Sequence, residues 1–303
     1  MEFLYLLEKI RVPVLNELML LITQLGEETA FLVVALVLFW CVDKYKGYYI
    51  LSVGFIGTMA NQFMKLWFRI PRPWVLDENF TILEQAREAA TGYSFPSGHT
   101  QNAVGTFGGI AYTTKNPWVK YAALAVAILV PFSRMYVGVH TPLDVGVAAI
   151  MAIALIFLLR PVFMKFGRRL IPAMFALMIL IALAYFCFIK LYQFPADIDA
   201  HNLESGVKNG YTLLGALLGL VTVYIVDEKW LHFPTKAVWW VQILKVAVGL
   251  GLVLAVKSGL KDVLATLMGE LPGRALRYYL IVIVAGIVWP LSFKFFTKIG
   301  AKR

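Results

Sequence analysis

Three short polar stretches sit at the ends of apolar runs, and their residue types fit one chemistry. The first, KLWFRIPRP, holds Lys65 and, six residues further on, Arg72 and Pro73. The second is Pro96-Ser97-Gly98-His99, opening an apolar segment. The third, SRMYVGVHTPLD, holds Ser133 and Arg134 at its start and His140 and Asp144 towards its end. Arg offers a planar fork of donors that suits phosphate oxygens, and Lys adds a point charge. Ser97 adds a hydroxyl, Gly98 lets backbone approach closely, and a helix beginning there points amide groups and the positive end of its dipole at an anion. Two histidines can then divide the work, one as nucleophile and one as general acid.

Each residue also has an ordinary structural explanation. Lys65 and Arg72 alone read as snorkelling interfacial side chains. Pro96-Ser97 alone is a common helix start. Thr141-Pro142-Leu143-Asp144 reads as an N-cap, a proline at the first helical position and an acidic third residue, so Asp144 has a capping role available. It can also orient the His140 ring, and the two roles are compatible. The weight comes from three such clusters in order, on one side of the membrane by simple alternation of spans.

The elements that must position them are membrane helices. The chain has 303 residues, of which 60% are hydrophobic and only 15% charged, against about 45–50% and 25% for soluble domains. Nine apolar runs recur, at about 29–43, 47–66, 97–114, 119–138, 142–164, 170–192, 208–226, 238–256 and 276–296, near the roughly 17–25 residues a membrane span needs. Residues 3–25 read as an interfacial amphipathic helix, with Leu15, Leu18, Leu21, Ile22 and Leu25 at helical spacing. Glu2, Glu8, Lys9, Arg11 and Glu17 argue against a cleavable leader. Cys41 and Cys187 both fall in apolar runs, so no disulfide is expected.

The net charge is +10. One set of loops and the C-terminus carry Lys44, Lys46, Lys115, Lys120, Arg160, Lys165, Arg168, Arg169, Lys229, Lys236, Lys294, Lys298, Lys302 and Arg303, and are assigned to the cytoplasm. The three polar clusters then face outward. No basic run stands on a soluble domain, so nucleic-acid binding is not expected.

The pattern K-x6-RP, PSGH, SR-x5-H-x3-D resembles the signature of the type 2 phosphatidic acid phosphatase superfamily, which includes membrane lipid phosphatases, glucose-6-phosphatase and vanadium haloperoxidases. Lys65, Arg72, Pro73, Ser97, Gly98, His99, Arg134, His140 and Asp144 all match it. The expected fold is an all-α, polytopic membrane bundle: an N-terminal amphipathic segment over 1–28, a catalytic transmembrane core resembling that family over 29–166, and additional transmembrane helices over 167–303. The resemblance implies a metal-independent phosphatase acting on a lipid phosphate or diphosphate through a phosphohistidine, at the extracytoplasmic face of a plasma membrane. By analogy His140 attacks phosphorus, Asp144 orients it, and His99 protonates the leaving group. Lys65, Arg72, Ser97, Gly98 and Arg134 hold the phosphoryl oxygens.

No cofactor and no metal site are expected, since the remaining histidines, His201 and His232, read as surface residues in loops on opposite sides. The expected partners are a lipid phosphate and the bilayer; the oligomeric state is not readable. The layout departs from the common six-span lipid phosphatases: residues 3–25 replace the first span, and at least three spans follow the core. A transporter or channel using the charged helix ends as an anion site is the alternative, with Lys245 the one mid-span cation. A vanadate-dependent peroxidase shares the anion cradle. Undecaprenyl diphosphate, phosphatidylglycerol phosphate, phosphatidic acid and a sphingoid phosphate all fit as substrates.

Overall fold

The computed structural model describes residues 1–300, and the side chains of Arg168, Ile299 and Gly300 lie outside the description. Lys302 and Arg303, two of the basic residues used to orient the chain, also fall outside it. Among the described residues there is no β-strand; the chain is all helix and loop.

The N-terminal stretch is two helices rather than one, α1 (Glu2–Lys9) and α2 (Pro13–Gln24). Pro13 lacks the N–H that would continue α1, and it holds Val12 extended at φ −133°, ψ 152°. Next come α3 (Glu28–Val37), extended by a π turn over Leu38–Val42, and α4 (Lys44–Phe68). The short α5 (Pro73–Leu76) precedes a long loop. The segment after it divides into α6 (Gly98–Ala103), a π turn over Val104–Gly108, and α7 (Gly109–Thr113). The longer helices follow: α8 (Pro117–Tyr136), α9 (Pro142–Pro161), α10 (Ile171–Leu191), α11 (Ala200–Val226) and α12 (Trp239–Gly259). The chain ends in α13 (Lys261–Met268), α14 (Glu270–Ile283) and α15 (Phe293–Gly300).

Six helical stretches are long and apolar enough to cross a membrane, and seven if α2 and Glu28–Val42 form one broken span. Nine were expected. The α4 run is diluted by Ser52, Thr58, Asn61, Gln62 and Lys65, and the α6–α7 stretch covers only residues 98–113. Both stretches carry polar side chains along their length, whereas Arg134 and Asp144 sit at the ends of α8 and α9 and leave those runs apolar. Two further differences concern loops: α13 occupies a stretch read as loop, and His201 lies in the first turn of α11.

The chain forms two compact units. One comprises Met1–Leu32, Ile50–Pro161 and Leu191–Gly206. Within it α1, α2 and α6 pack on α8, and α6 also packs on α9. The loop after α5 is tied down by Arg11, which donates from Nε to Tyr136 O at 3.0 Å and from Nη1 to Thr81 O at 2.8 Å. Small apolar clusters lie beneath that loop, one around Met19, Tyr136 and Val139 and one around Leu4, Phe80 and Ile82.

The other unit comprises Val33–Tyr49, Val162–Lys190 and residues from Val207 onward. There α12 packs against α14 and the Leu38–Val42 turn. Helices α11 and α14 approach closely through small residues: a Cβ on Gly215 would lie 1.9 Å from Ala275 O.

Candidate active site

All of the sequence-predicted site residues fall in the first unit. Lys65 lies near the end of α4 and Arg72 at the residue before α5. Ser97 caps α6, its Oγ accepting the Thr100 N–H at 3.3 Å. Arg134 is in the last turn of α8, and Asp144 is in the first turn of α9. His140 rides on the turn between α8 and α9. That turn needs Gly138, whose φ of +89° is open to glycine at little cost. Gly98 differs: a Cβ there would meet only Asn61 Oδ1, at 4.0 Å, so no protein atom demands glycine.

Hydrogen bonds draw these elements together. Arg72 is the hub. Its Nε donates to Gly92 O at 3.1 Å, its Nη2 to Thr91 O at 2.7 Å, and its Nη1 to Val139 O at 3.0 Å. Nη1 also lies 2.9 Å from His140 Nε2. A guanidinium only donates, so Nε2 carries the lone pair and the neutral ring has its proton on Nδ1. Lys65 Nζ donates to Tyr93 O. The backbone N–H of Ser97 donates to Asp144 O at 3.1 Å, joining α6 to α9.

Asp144 does what a capping residue does. Its carboxylate accepts the Thr141 N–H at 2.7 Å while Thr141 Oγ1 accepts the Asp144 N–H at 3.3 Å. The same carboxylate accepts the Ser94 hydroxyl at 2.7 Å. His140 Nδ1 stands 3.6 Å from Asp144 Oδ2, too far for a hydrogen bond. The carboxylate is thus locked beside the ring without yet bonding to it.

Electrostatically the cluster is cationic and dry. Lys65, Arg72 and Arg134 are 6%, 6% and 0% exposed. Burial, then the charges of Arg72, Arg134 and Lys65, hold His140 well below the usual histidine range, so its ring is neutral at neutral pH. Burial also draws the Arg72 guanidinium down to about 10, against an opposing pull from Asp144. Burial, then Arg134, His140, Arg72 and Lys65, holds His99 below the usual histidine range as well. Several buried donors lack a protein partner: Nε and Nη2 of Arg134, Nε2 of His99 and Nδ1 of His140. A dry group of cations with unused donors is a site for an anion.

Sequence reasoning missed four contributors. Ser94 bonds Asp144, and Asn61 Nδ2 donates to Pro96 O at 3.2 Å. Thr23 Oγ1 accepts from Arg134 Nη1 at 2.7 Å, and Asn102 Nδ2 donates to Gly26 O at 3.3 Å. Ser94, Asn102 and Asn61 lie within four residues of a motif residue, and Thr23 is remote from all three motifs; none carried a spacing signal. A cavity of about 730 Å³ opens beside Arg72, with Phe68, Trp74, Tyr93, Asp199 and His201 among its walls. His201, read as an ordinary surface residue, therefore lies on the approach to Arg72.

Comparison with known proteins points to a membrane phosphatase. Residues 45–168 match the PAP2 superfamily, and residues 211–303 match the transmembrane extension of PAP2 superfamily phosphatases. The undecaprenyl-diphosphatase BcrC of Bacillus subtilis (strain 168) is 30% identical over 161 residues, covering 52% of this chain and 78% of that protein. Phosphatidylglycerophosphatase B of the same organism is 30% identical over 164 residues, covering 50% and 76%. An undecaprenyl-diphosphatase of Sulfolobus acidocaldarius is 30% identical over 146 residues, covering 48% and 68%. No solved structure matches the chain significantly. The chain belongs to the PAP2 superfamily. It is a phosphatase and a multi-pass integral membrane protein.

Proposed function

We propose that the chain hydrolyses a lipid phosphate or diphosphate through a phosphohistidine on His140, at the extracytoplasmic surface of a plasma membrane. The observation that carries this is the contact between Arg72 Nη1 and His140 Nε2. With Arg72 as the donor, the lone pair falls on Nε2 beside a guanidinium suited to phosphate oxygens, which supports that nitrogen as the nucleophile.

In the first step the Nε2 lone pair attacks phosphorus as Arg72 turns its Nη1 hydrogen to a phosphoryl oxygen. The bond from phosphorus to the leaving oxygen breaks, and His99, protonated once the bound phosphate offsets the surrounding cations, gives that oxygen a proton. In the second step His99 takes a proton from water. The water oxygen attacks phosphorus, the N–P bond breaks, and inorganic phosphate leaves with His140 neutral again. Lys65, Arg72, Arg134, Ser97 and the Gly98 amide bear the charge that spreads over the equatorial oxygens. Asp144 closes its gap to Nδ1 as the ring becomes positive. Residues 29–166 form the catalytic core in this reading, flanked by 1–28 and 167–303. The names of the relatives support a lipid substrate, as does a site built at helix ends. Lys44, Lys46, Lys115 and Lys120 on the opposite loops support the orientation.

The test is phosphate release by purified protein in detergent, across a panel of lipid mono- and diphosphates with chelator present. Wild type is expected to form an acid-labile phosphoenzyme. His140→Ala is expected to lose at least about 10³-fold in rate while remaining folded. A His140→Ala protein that keeps a tenth of the activity would overturn the nucleophile. Single cysteines at Glu84 and Lys115, in a background lacking Cys41 and Cys187, are expected to label from opposite sides, with Glu84 outside. Labelling from one side would overturn the topology.

A further inference from the structure

We propose that Thr23, on the amphipathic α2 helix, is a positioning residue for catalysis. It sets the guanidinium of Arg134 so that one donor edge faces the phosphoryl group. The proposal rests on the phosphatase reading above.

Arg134 is fully buried, and among the described residues its guanidinium has one hydrogen-bond partner: Nη1 donates to Thr23 Oγ1 at 2.7 Å. Nε and Nη2 are buried without an acceptor. These two nitrogens form one edge of the planar group, with parallel N–H bonds spaced to meet two oxygens of one phosphoryl group. A guanidinium turned the other way would offer the site a different edge. By engaging Nη1, the Thr23 hydroxyl selects which edge remains. Thr23 is itself 5% exposed, so water does not compete freely for the contact.

The turn that follows α2 makes the arrangement rigid. A Cβ on Gly26 would lie 3.0 Å from both Cβ and the backbone oxygen of His99, and 2.7 Å from Val130 Cγ1. Gly26 O accepts from Asn102, one helical turn after His99 in α6. A few residues of the N-terminal segment thus touch α8 through Arg134 and Val130 and α6 through His99 and Asn102. The segment read as an interfacial anchor is the back wall of the site. Misplacing one donor pair by a fraction of an ångström is costly in a preorganised charge cradle.

Thr23→Val keeps shape and removes the acceptor; Thr23→Ser keeps the acceptor. The readouts are inhibition by orthovanadate, a phosphoryl mimic, the thermal shift it produces, and kcat/KM on a lipid phosphate. Thr23→Val is expected to weaken vanadate at least about tenfold and lower kcat/KM by a similar factor, as loss of an oriented charged donor pair requires. Thr23→Ser should recover to within about threefold of wild type. In an Arg134→Lys background, Thr23→Val should add little, because the edge it selects is gone. Should Thr23→Val fail to fold, Thr23→Ala leaves room for water at Nη1, and its losses should fall between those of Val and Ser. A folded Val or Ala variant with vanadate affinity and kcat/KM within twofold of wild type, whatever its melting temperature, overturns the proposal. A wild-type protein that neither binds vanadate nor releases phosphate overturns the underlying reading instead.

Discussion

Arg134 in one compact unit and Lys245 in the other are both fully buried cations with no carboxylate partner among the described residues. Their surroundings differ. Lys245 Nζ donates to the backbone oxygens of Thr235 at 2.9 Å, Trp40 at 3.2 Å and Pro234 at 3.4 Å, and to Gln242 Oε1 at 3.4 Å. The Phe293 ring lies 4.3 Å below it. Every hydrogen it has is engaged by the protein, so nothing is left for a ligand. Arg134 engages only Thr23 and keeps two donors unpaired. A desolvated donor without an acceptor costs stability and is retained where a ligand supplies the acceptor. The mid-span position of Lys245 suggested a transport path; its carbonyl cage makes it a brace between α12 and the turn around Leu38–Val42.

Substitutions can break or sharpen that contrast. The largest effect should come from His99. A lipid alkoxide needs a proton far more than an activated aryl oxide does. His99→Ala should therefore lose about 10²–10⁴-fold on a lipid monophosphate and much less on p-nitrophenyl phosphate. Equal losses on both esters would leave His99 as a phosphate ligand only. Next, Arg134→Lys keeps the charge and removes the planar fork. It should cost about 10²-fold in kcat/KM, and a loss under threefold would show that charge alone suffices.

A smaller effect is the pH response. His140 is held below its ordinary value by burial and three cations, so it stays unprotonated as the pH falls from neutrality. The lone pair is lost only on protonation, which places the acid limb that His140 sets on kcat/KM below about pH 6.5. A His140 limb at or above 6.5 would mean that the cations do not act on it. The smallest effect on rate belongs to Lys245→Met. Activity per folded molecule should stay within about twofold, while the melting temperature falls as Trp40 O and Pro234 O lose their donor. A large activity loss with unchanged melting would make Lys245 functional and erase the contrast.

What the residues alone determined is the chemistry. Lys, Arg, Ser and His are expensive at the ends of apolar runs, and their clustering in three stretches at fixed spacing pointed to an anion site without any coordinates. The all-helical membrane class followed from composition for a similar reason, since only helices or closed barrels satisfy backbone groups in lipid. The same cost explains what hydropathy misread: polar residues inside α4 and α6–α7, Asn61, Gln62, Gln101 and Asn102 among them, dilute those two runs.

What only the tertiary structure decided is who holds whom. Thr141 and Asp144 form the cap foreseen from their spacing, but the bond from Ser94 to Asp144 and the 3.6 Å gap to His140 depend on how α6 meets α9. Thr23 and Gly26 carried no signal at all. A hydroxyl on an amphipathic helix looks the same whether it faces headgroups or a guanidinium 111 residues away in sequence. Local periodicity shows which face of a helix is buried; it carries no information on which distant donor waits there, because that pairing is set by the packing of α2 on α8.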